Sequence, residues 1–270
     1  REILRIAYGD FVRGHSADLV SQQLTLLAEA LCEASLQFAY RETVEQRGTP
    51  SYGQGATAKV VMIGLRRLGG QELDYESELD VLFIYDRPGR TNGERPIENQ
   101  EFFTKVARRT IQLLGEQTEL GTAYRLRTDR ATGFHNDQLC GEMNAAIRHF
   151  DSRGRTWERL ALIKARPIAG EIQVGLELLD AIEPWIYRRY LSRSDISGIR
   201  ALKRRLVKRS DRQGLLMLDV EGGVLDVEFT VQFLQLINGG DDRQIRRGNT
   251  LQAIGLLEQN GAITSEEAQT

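Results

Sequence analysis

The chain has 270 residues, 41% of them hydrophobic and 27% charged, with a formal net charge of -2. That size supports a substantial core, and the near-neutral balance excludes binding of nucleic acid through bulk positive charge. Cys32 and Cys140 lie far apart, with no CxxC spacing and no nearby histidine pair, which argues against a disulfide framework or a zinc centre. No apolar run reaches the length of a membrane span, and "REILRIAYGD" at the start carries no signal-peptide core, so no membrane is expected and the cytoplasm is the expected compartment. Because it opens in mid-pattern, the chain is expected to be a piece of a longer protein.

In chain order, Leu19, Leu24, Leu27, Leu31, Ala34 and Phe38 recur at helical spacing and predict a packing helix over 17–47, ending near Gly48 and Pro50. "AKVVMIGL" (58–65) reads as a compact apolar strand, followed by a loop holding Gly69 and Gly70. Asp74, Glu76, Glu78 and Asp80 then occupy every second position before the apolar run 81–84, which reads as a strand buried on both faces. If the acidic stretch is extended, its four carboxylates form one column. "RPGRTNGERP" (87–96) is a polar connection, Asn99 is placed to cap a helix running to about Gln117, and "GTAYRLRTD" (121–129) alternates like a strand. From Arg155 onward helical spacing dominates, over 156–166, 174–191, 195–211, 224–237 and 249–259. The expected fold class is α+β, with an N-terminal helical segment (1–55), a small mixed sheet with helices (56–168) and a C-terminal helical bundle (169–270).

Carboxylates crowded at the mouth of a buried strand repel one another and resist desolvation unless a cation sits between them. Glu78 and Asp80 can together hold Mg2+ ions that bridge phosphate oxygens, while Gly69 and Gly70 let backbone N–H groups approach phosphate and Ser77 donates a further hydrogen bond. A glycine turn leading into a strand with a solvated acidic face is the bland alternative. In "WERLALIKAR", Glu158, Lys164 and Arg166 are expected on one helix, where the two cations would neutralise phosphate charge or simply form ordinary ion pairs. Asp226 and Glu228 follow two glycines where a helix should begin, as dipole-compensating acids or as a further acidic site. The basic run 200–209 reads as a solvated face.

"GGQELDYESELDVLFIYD" resembles the nucleotidyltransferase signature of the bifunctional glutamine synthetase adenylyltransferase/adenylyl-removing enzymes, members of the DNA polymerase β superfamily. "ENQEFFTKVARRTIQLL", "GRTWERLALIKARPIAG", "WIYRRYLSRSDISGIRALKRRL" and "EGGVLDVEFTVQFLQLINGG" resemble the same family in the same order, so the likeness covers most of the chain from about residue 20. "GRTWERLALIKAR" and "FLQLINGG" look most like the N-terminal, adenylyl-removing half. The resemblance implies a polymerase β-like core, two Mg2+ ions, a nucleotide (ADP or ATP), glutamine synthetase as target and a PII-type signalling protein as regulator. The implied reaction is phosphorolysis of adenylyl-tyrosine to ADP. The implied ligands and catalytic residues are Glu78, Asp80 and Asp129, with Gly69, Gly70, Ser77, Arg67, Arg125, Lys164 and Arg166 on nucleotide or phosphate.

Three positions depart from the family pattern. "GLRRLGG" stands where the family has Gly-x-Gly-Lys-Leu-Gly-Gly, which puts Arg66 in place of a glycine. Glu78-Leu79-Asp80 replaces Asp-x-Asp. In "YRLRTDRATG" a gapless match puts Arg127 at the third carboxylate, with Asp129 two positions later on the same strand face. An enzyme of this family and a nucleotide-binding regulatory module that keeps the fold without the chemistry are therefore both carried as expectations.

Overall fold

The computed structural model describes residues 1–115, 126–128, 139–188, 196–199, 201 and 223–269, with the backbone alone at 126–128 and 225. The fold is mixed α+β. It divides into two compact units, one made of Arg1–Ser152 and Ala165–Ala181, the other of Arg153–Lys164 and Ile182–Thr270.

The first unit begins with helices α1 (Glu2–Phe11) and α2 (Ala17–Arg47). Ser16 caps α2 by accepting from the Leu19 N–H, and Gly48, at a φ of 80°, ends it where a side chain would be strained. The buried face is Val20, Leu24, Ala28, Cys32, Leu36 and Ala39, not the larger stripe read from the sequence; Leu19, Leu31 and Phe38 lie toward solvent. Small residues face inward because α2 lies against the sheet and against α4 (Asn99–Gly115), and close approach of backbones requires short side chains.

Strands β1 (Pro50–Tyr52), β2 (Ala56–Thr57) and β5 (Arg90–Thr91) form a small antiparallel sheet in the order β2-β1-β5. The main sheet runs β6 (Leu126–Thr128), β4 (Leu79–Tyr85), β3 (Val60–Gly64) and β8 (Arg166–Gly170), with β7 (Cys140–Glu142) also pairing β4. β3 is antiparallel to β4, from Val60 opposite Tyr85 to Gly64 opposite Val81, and β6 and β7 are parallel to β4. All seven residues of β4 are buried, as expected for an interior strand covered on both faces. Val81, Phe83 and Tyr85 join the core shared with α2 and α4, where Phe102 and Phe103 meet edge to face at 5.2 Å. Asp80, Leu82 and Ile84 share the opposite face by strand alternation. Pro167 falls where the β3–β8 register shifts, on an edge strand that tolerates a missing N–H.

Several local expectations change. Asn99 does not cap α4 but opens it, donating its side-chain N–H groups to the carbonyls of Ser51 and Arg87 and so tying the small sheet to the turn after β4. The helix expected over 156–166 stops early: α6 is Thr156–Ile163, Lys164 is its C-cap, and Arg166 already belongs to β8. Between β7 and α6 lies α5 (Met143–Arg153), and α7 spans Ile172–Ile186. In the second unit the described elements are helical: α6, the end of α7, α8 (Val224–Asn238), α9 (Thr250–Gln259) and α10 (Ser265–Gln269). Most of the helix expected over 195–211 lies outside the described residues, as does all but 126–128 of the strand expected at 121–129. Among the described residues no helix is long and apolar enough to cross a membrane.

Both cysteines are fully buried. Burial, assisted by the carboxylates of Glu29 and Glu33, pushes the Cys32 thiol up to about 12, and burial pushes Cys140 well above the ordinary thiol range. The thiolate is the reactive form, so at pH 8 a disulfide reagent added to the native chain is expected to find no rapidly reacting thiol, and both should react once denaturant unfolds it. Fast titration of either thiol in the native state would contradict the packing of α2 and β7.

Candidate active site

Asp80 is the second residue of β4, and its side chain is only 12% exposed. Its backbone carbonyl accepts from the Leu65 N–H at 2.9 Å, which extends the β3–β4 pairing by one step and sets the start of the next helix beside it. Glu78 is exposed and precedes the strand. The carboxylate column expected from 74 to 80 does not form. Asp74 and Ser77 close a turn instead: the Asp74 N–H donates to Ser77 Oγ (3.0 Å), that hydroxyl donates to Asp74 Oδ1 (2.7 Å), and the Glu76 N–H donates to the same oxygen (3.0 Å). Short polar side chains that bond their own backbone compete with strand pairing, and here they win. The turn is anchored from outside by α1, where Tyr75 donates to Asp10 at 3.0 Å and stacks on Phe11.

Gly69 and Gly70 do not form an open loop. They end a one-turn helix, α3 (Arg66–Gly70), in which both are buried, and the Gly69 N–H donates to the Leu65 carbonyl at 3.1 Å. The left-handed backbone falls at Arg66 (φ 49°) and Gln71 (φ 60°), either side of the glycines' positions. A non-glycine residue in that region costs about 1–2 kcal/mol. Arg66 directs its Nε to 3.6 Å from Asp80 Oδ2, and Arg67 pairs with Asp74. Arg166, at the start of β8, donates to the carbonyls of Leu68 and Gly69 (both 3.3 Å) and pairs with Glu29 of α2. It therefore braces the last carbonyls of α3, groups a helix leaves without internal partners.

Lys164, expected beside phosphate, lies in the second unit. It is 3% exposed, donating to Thr250 Oγ1 at 2.8 Å and to Glu228 at 3.4 Å. Glu158 is buried in the first turn of α6, where its carboxylate accepts from the Arg155 N–H at 2.6 Å. Asp226 sits in the first turn of α8, where an acid complements the helix dipole. The structure thus gathers Glu78, Asp80, Gly69, Gly70, Ser77, Arg67 and Arg166 in the first unit and Lys164, Asp226 and Glu228 in the second. Arg125 and Asp129 lie outside the described residues. Sequence inspection missed Glu29, Asp10 and Tyr75, because nothing in a one-dimensional pattern brings α1 and α2 to the turn and the glycine helix.

Among the described residues no group of three or more His, Cys, Asp or Glu is gathered as for a metal ion. Asp80 at the head of β4 and Glu78 two residues before it nevertheless suit a hard cation: their donors are carboxylate oxygens, and Asp80 already draws a positive group to 3.6 Å.

Residues 1–181 match the family model described as glutamate-ammonia ligase adenylyltransferase, an extent that ends where the sheet-bearing unit ends. The chain is 36% identical over 267 residues to the bifunctional glutamine synthetase adenylyltransferase/adenylyl-removing enzyme of Nitrosococcus oceani, covering 95% of this chain and 27% of that protein. It is 34% identical to the protein of the same name from Thioalkalivibrio sulfidiphilus (91% and 26% covered) and 34% identical to that from Pseudomonas aeruginosa (97% and 27% covered). It spans about a quarter of the length of these relatives.

Proposed function

Because the chain belongs to the glutamate-ammonia ligase adenylyltransferase family, we propose that its sheet-bearing unit is a polymerase β-like nucleotidyl-transfer site acting on glutamine synthetase. The direction assigned is removal. An oxygen of inorganic phosphate attacks the phosphorus of adenylyl-tyrosine, the bond to the tyrosine oxygen breaks, that oxygen takes up a proton, and ADP leaves. Support for the direction is the likeness of "GRTWERLALIKAR" and "FLQLINGG" to the adenylyl-removing half.

The observation that carries the site is Asp80, a largely buried carboxylate on the interior strand, with Glu78 two residues before it and the arginines of α3 alongside. Glu78, Asp80 and Asp129 would hold Mg2+, which when bound neutralises phosphate oxygens during in-line displacement. Arg67 and Arg125 would orient the phosphate groups, and Arg166 keeps α3 in place beside them. A PII-type signalling protein is the proposed regulator and the cytoplasm the proposed compartment.

The test is to incubate adenylylated glutamine synthetase with the chain, Mg2+ and phosphate. Phosphate-dependent ADP release is expected, with little transfer of AMP from ATP to the unmodified target. Robust ATP-driven adenylylation without ADP release would reverse the direction. A second reading, a nucleotide-binding regulatory module without turnover, is favoured by the Arg66–Asp80 pair; nucleotide binding with no turnover of the complete substrate in either direction would establish it.

A further inference from the structure

We propose that Arg66 is a built-in counter-ion for Asp80 that is displaced by a divalent cation and then serves as a ligand of a substrate phosphate oxygen. This rests on the nucleotidyl-transfer reading of the same site. Arg66 is a non-glycine residue at φ 49°, a conformation that favours glycine, and its side chain is 45% exposed. Backbone strain of this kind persists only where the surroundings impose it. The Leu65 N–H bonded to the Asp80 carbonyl and the Gly69 N–H bonded to the Leu65 carbonyl do so here, fixing the residue between β3 and the turn of α3. The guanidinium consequently reaches the Asp80 carboxylate, with Nε 3.6 Å from Oδ2.

At 3.6 Å from Nε to Oδ2, and with the arginine nearly half exposed, the pair is a loose one that exchanges readily for water or for a competing charge. A bound divalent cation at Asp80 repels the guanidinium, and the exposed arm then lies at the edge of the site, where the charge left to balance is that of the phosphate. Arginine suits both roles, since its planar fork recognises carboxylate and phosphate alike. The consequence is coupling: cation and phosphate each favour the arm position that the other needs, and by linkage each tightens the other.

The experiment measures Mn2+ binding to the whole chain by electron paramagnetic resonance, with and without inorganic phosphate, in the unaltered protein and in Arg66→Gln, Arg66→Gly and Asp80→Asn. Without phosphate, both Arg66 variants are expected to bind Mn2+ severalfold more tightly, because a competing cation is gone. With Mn2+ saturating, their affinity for phosphate is expected to fall about tenfold. Arg66→Gly also removes the strained side chain, so circular dichroism melting should show a fold at least as stable as the parent, and Arg66→Gln guards against a backbone effect. Mn2+ binding that needs Asp80 but is indifferent to Arg66 overturns this proposal alone. Mn2+ binding that is absent, or unaffected by Asp80→Asn, overturns the cation site on which it rests.

Discussion

For the proposed phosphorolysis, Asp80→Asn is expected to reduce phosphate-dependent ADP release from adenylylated glutamine synthetase by about a hundredfold or more while leaving the chain folded. The substitution keeps the shape of the side chain and removes the anionic oxygen on which a hard cation depends. The pair of Asp80 with Arg66, at 3.6 Å, is loose and partly exposed, and such pairs contribute at most ~1 kcal/mol. Burial of the neighbouring Leu79, Val81, Leu82 and Phe83 is untouched, so the strand should pair as before. Steady-state kinetics and thermal melting are therefore expected to separate, the first collapsing and the second nearly constant. Turnover kept within a few-fold of the parent would remove Asp80 from the site.

Lys164→Ala is expected to lower the unfolding free energy by about 3 kcal/mol, since removing one partner of a buried pair leaves the other charge uncompensated. Lys164 is 3% exposed, and its ammonium meets Glu228 at 3.4 Å and the Thr250 hydroxyl at 2.8 Å, so it joins the C-terminus of α6 to α8 and to the start of α9. The double change Lys164→Met with Glu228→Gln keeps the volume and removes both charges, and should recover a good part of the loss. Urea denaturation checks both. A Lys164→Ala chain that unfolds at the parent urea concentration but loses phosphate affinity would return this lysine to the ligand role that its sequence context suggested.

Where a signal was local, the sequence carried it. The span of α2 and its end at Gly48 follow from helical periodicity and a helix-ending glycine, and the apolar runs of β3 and β4 follow from a composition that only a doubly covered strand satisfies. The Asp80 position at the head of such a strand, and the family likeness, were legible for the same reason. Orientation was not. Which face of α2 turns inward was decided by the tight fit against α4 and β8, so Ala28, Cys32 and Ala39 displaced Leu31 and Phe38 from the core. The Asp74–Ser77 turn replaced an extended carboxylate column because side-chain oxygens satisfied the backbone locally before strand pairing could. Lys164 and Arg166, two residues apart and alike in charge, were sent to different partners when α6 ended between them, one to Glu228 and the other to Glu29. Both acids are distant in sequence, Glu228 in α8 and Glu29 in α2, and only the packing of helices brings such carboxylates within reach of a given cation. Residue type and spacing determined which charges this protein carries and where its strands run; tertiary packing decided which of those charges meet, because ion pairing depends on distances in space that the order of residues does not contain.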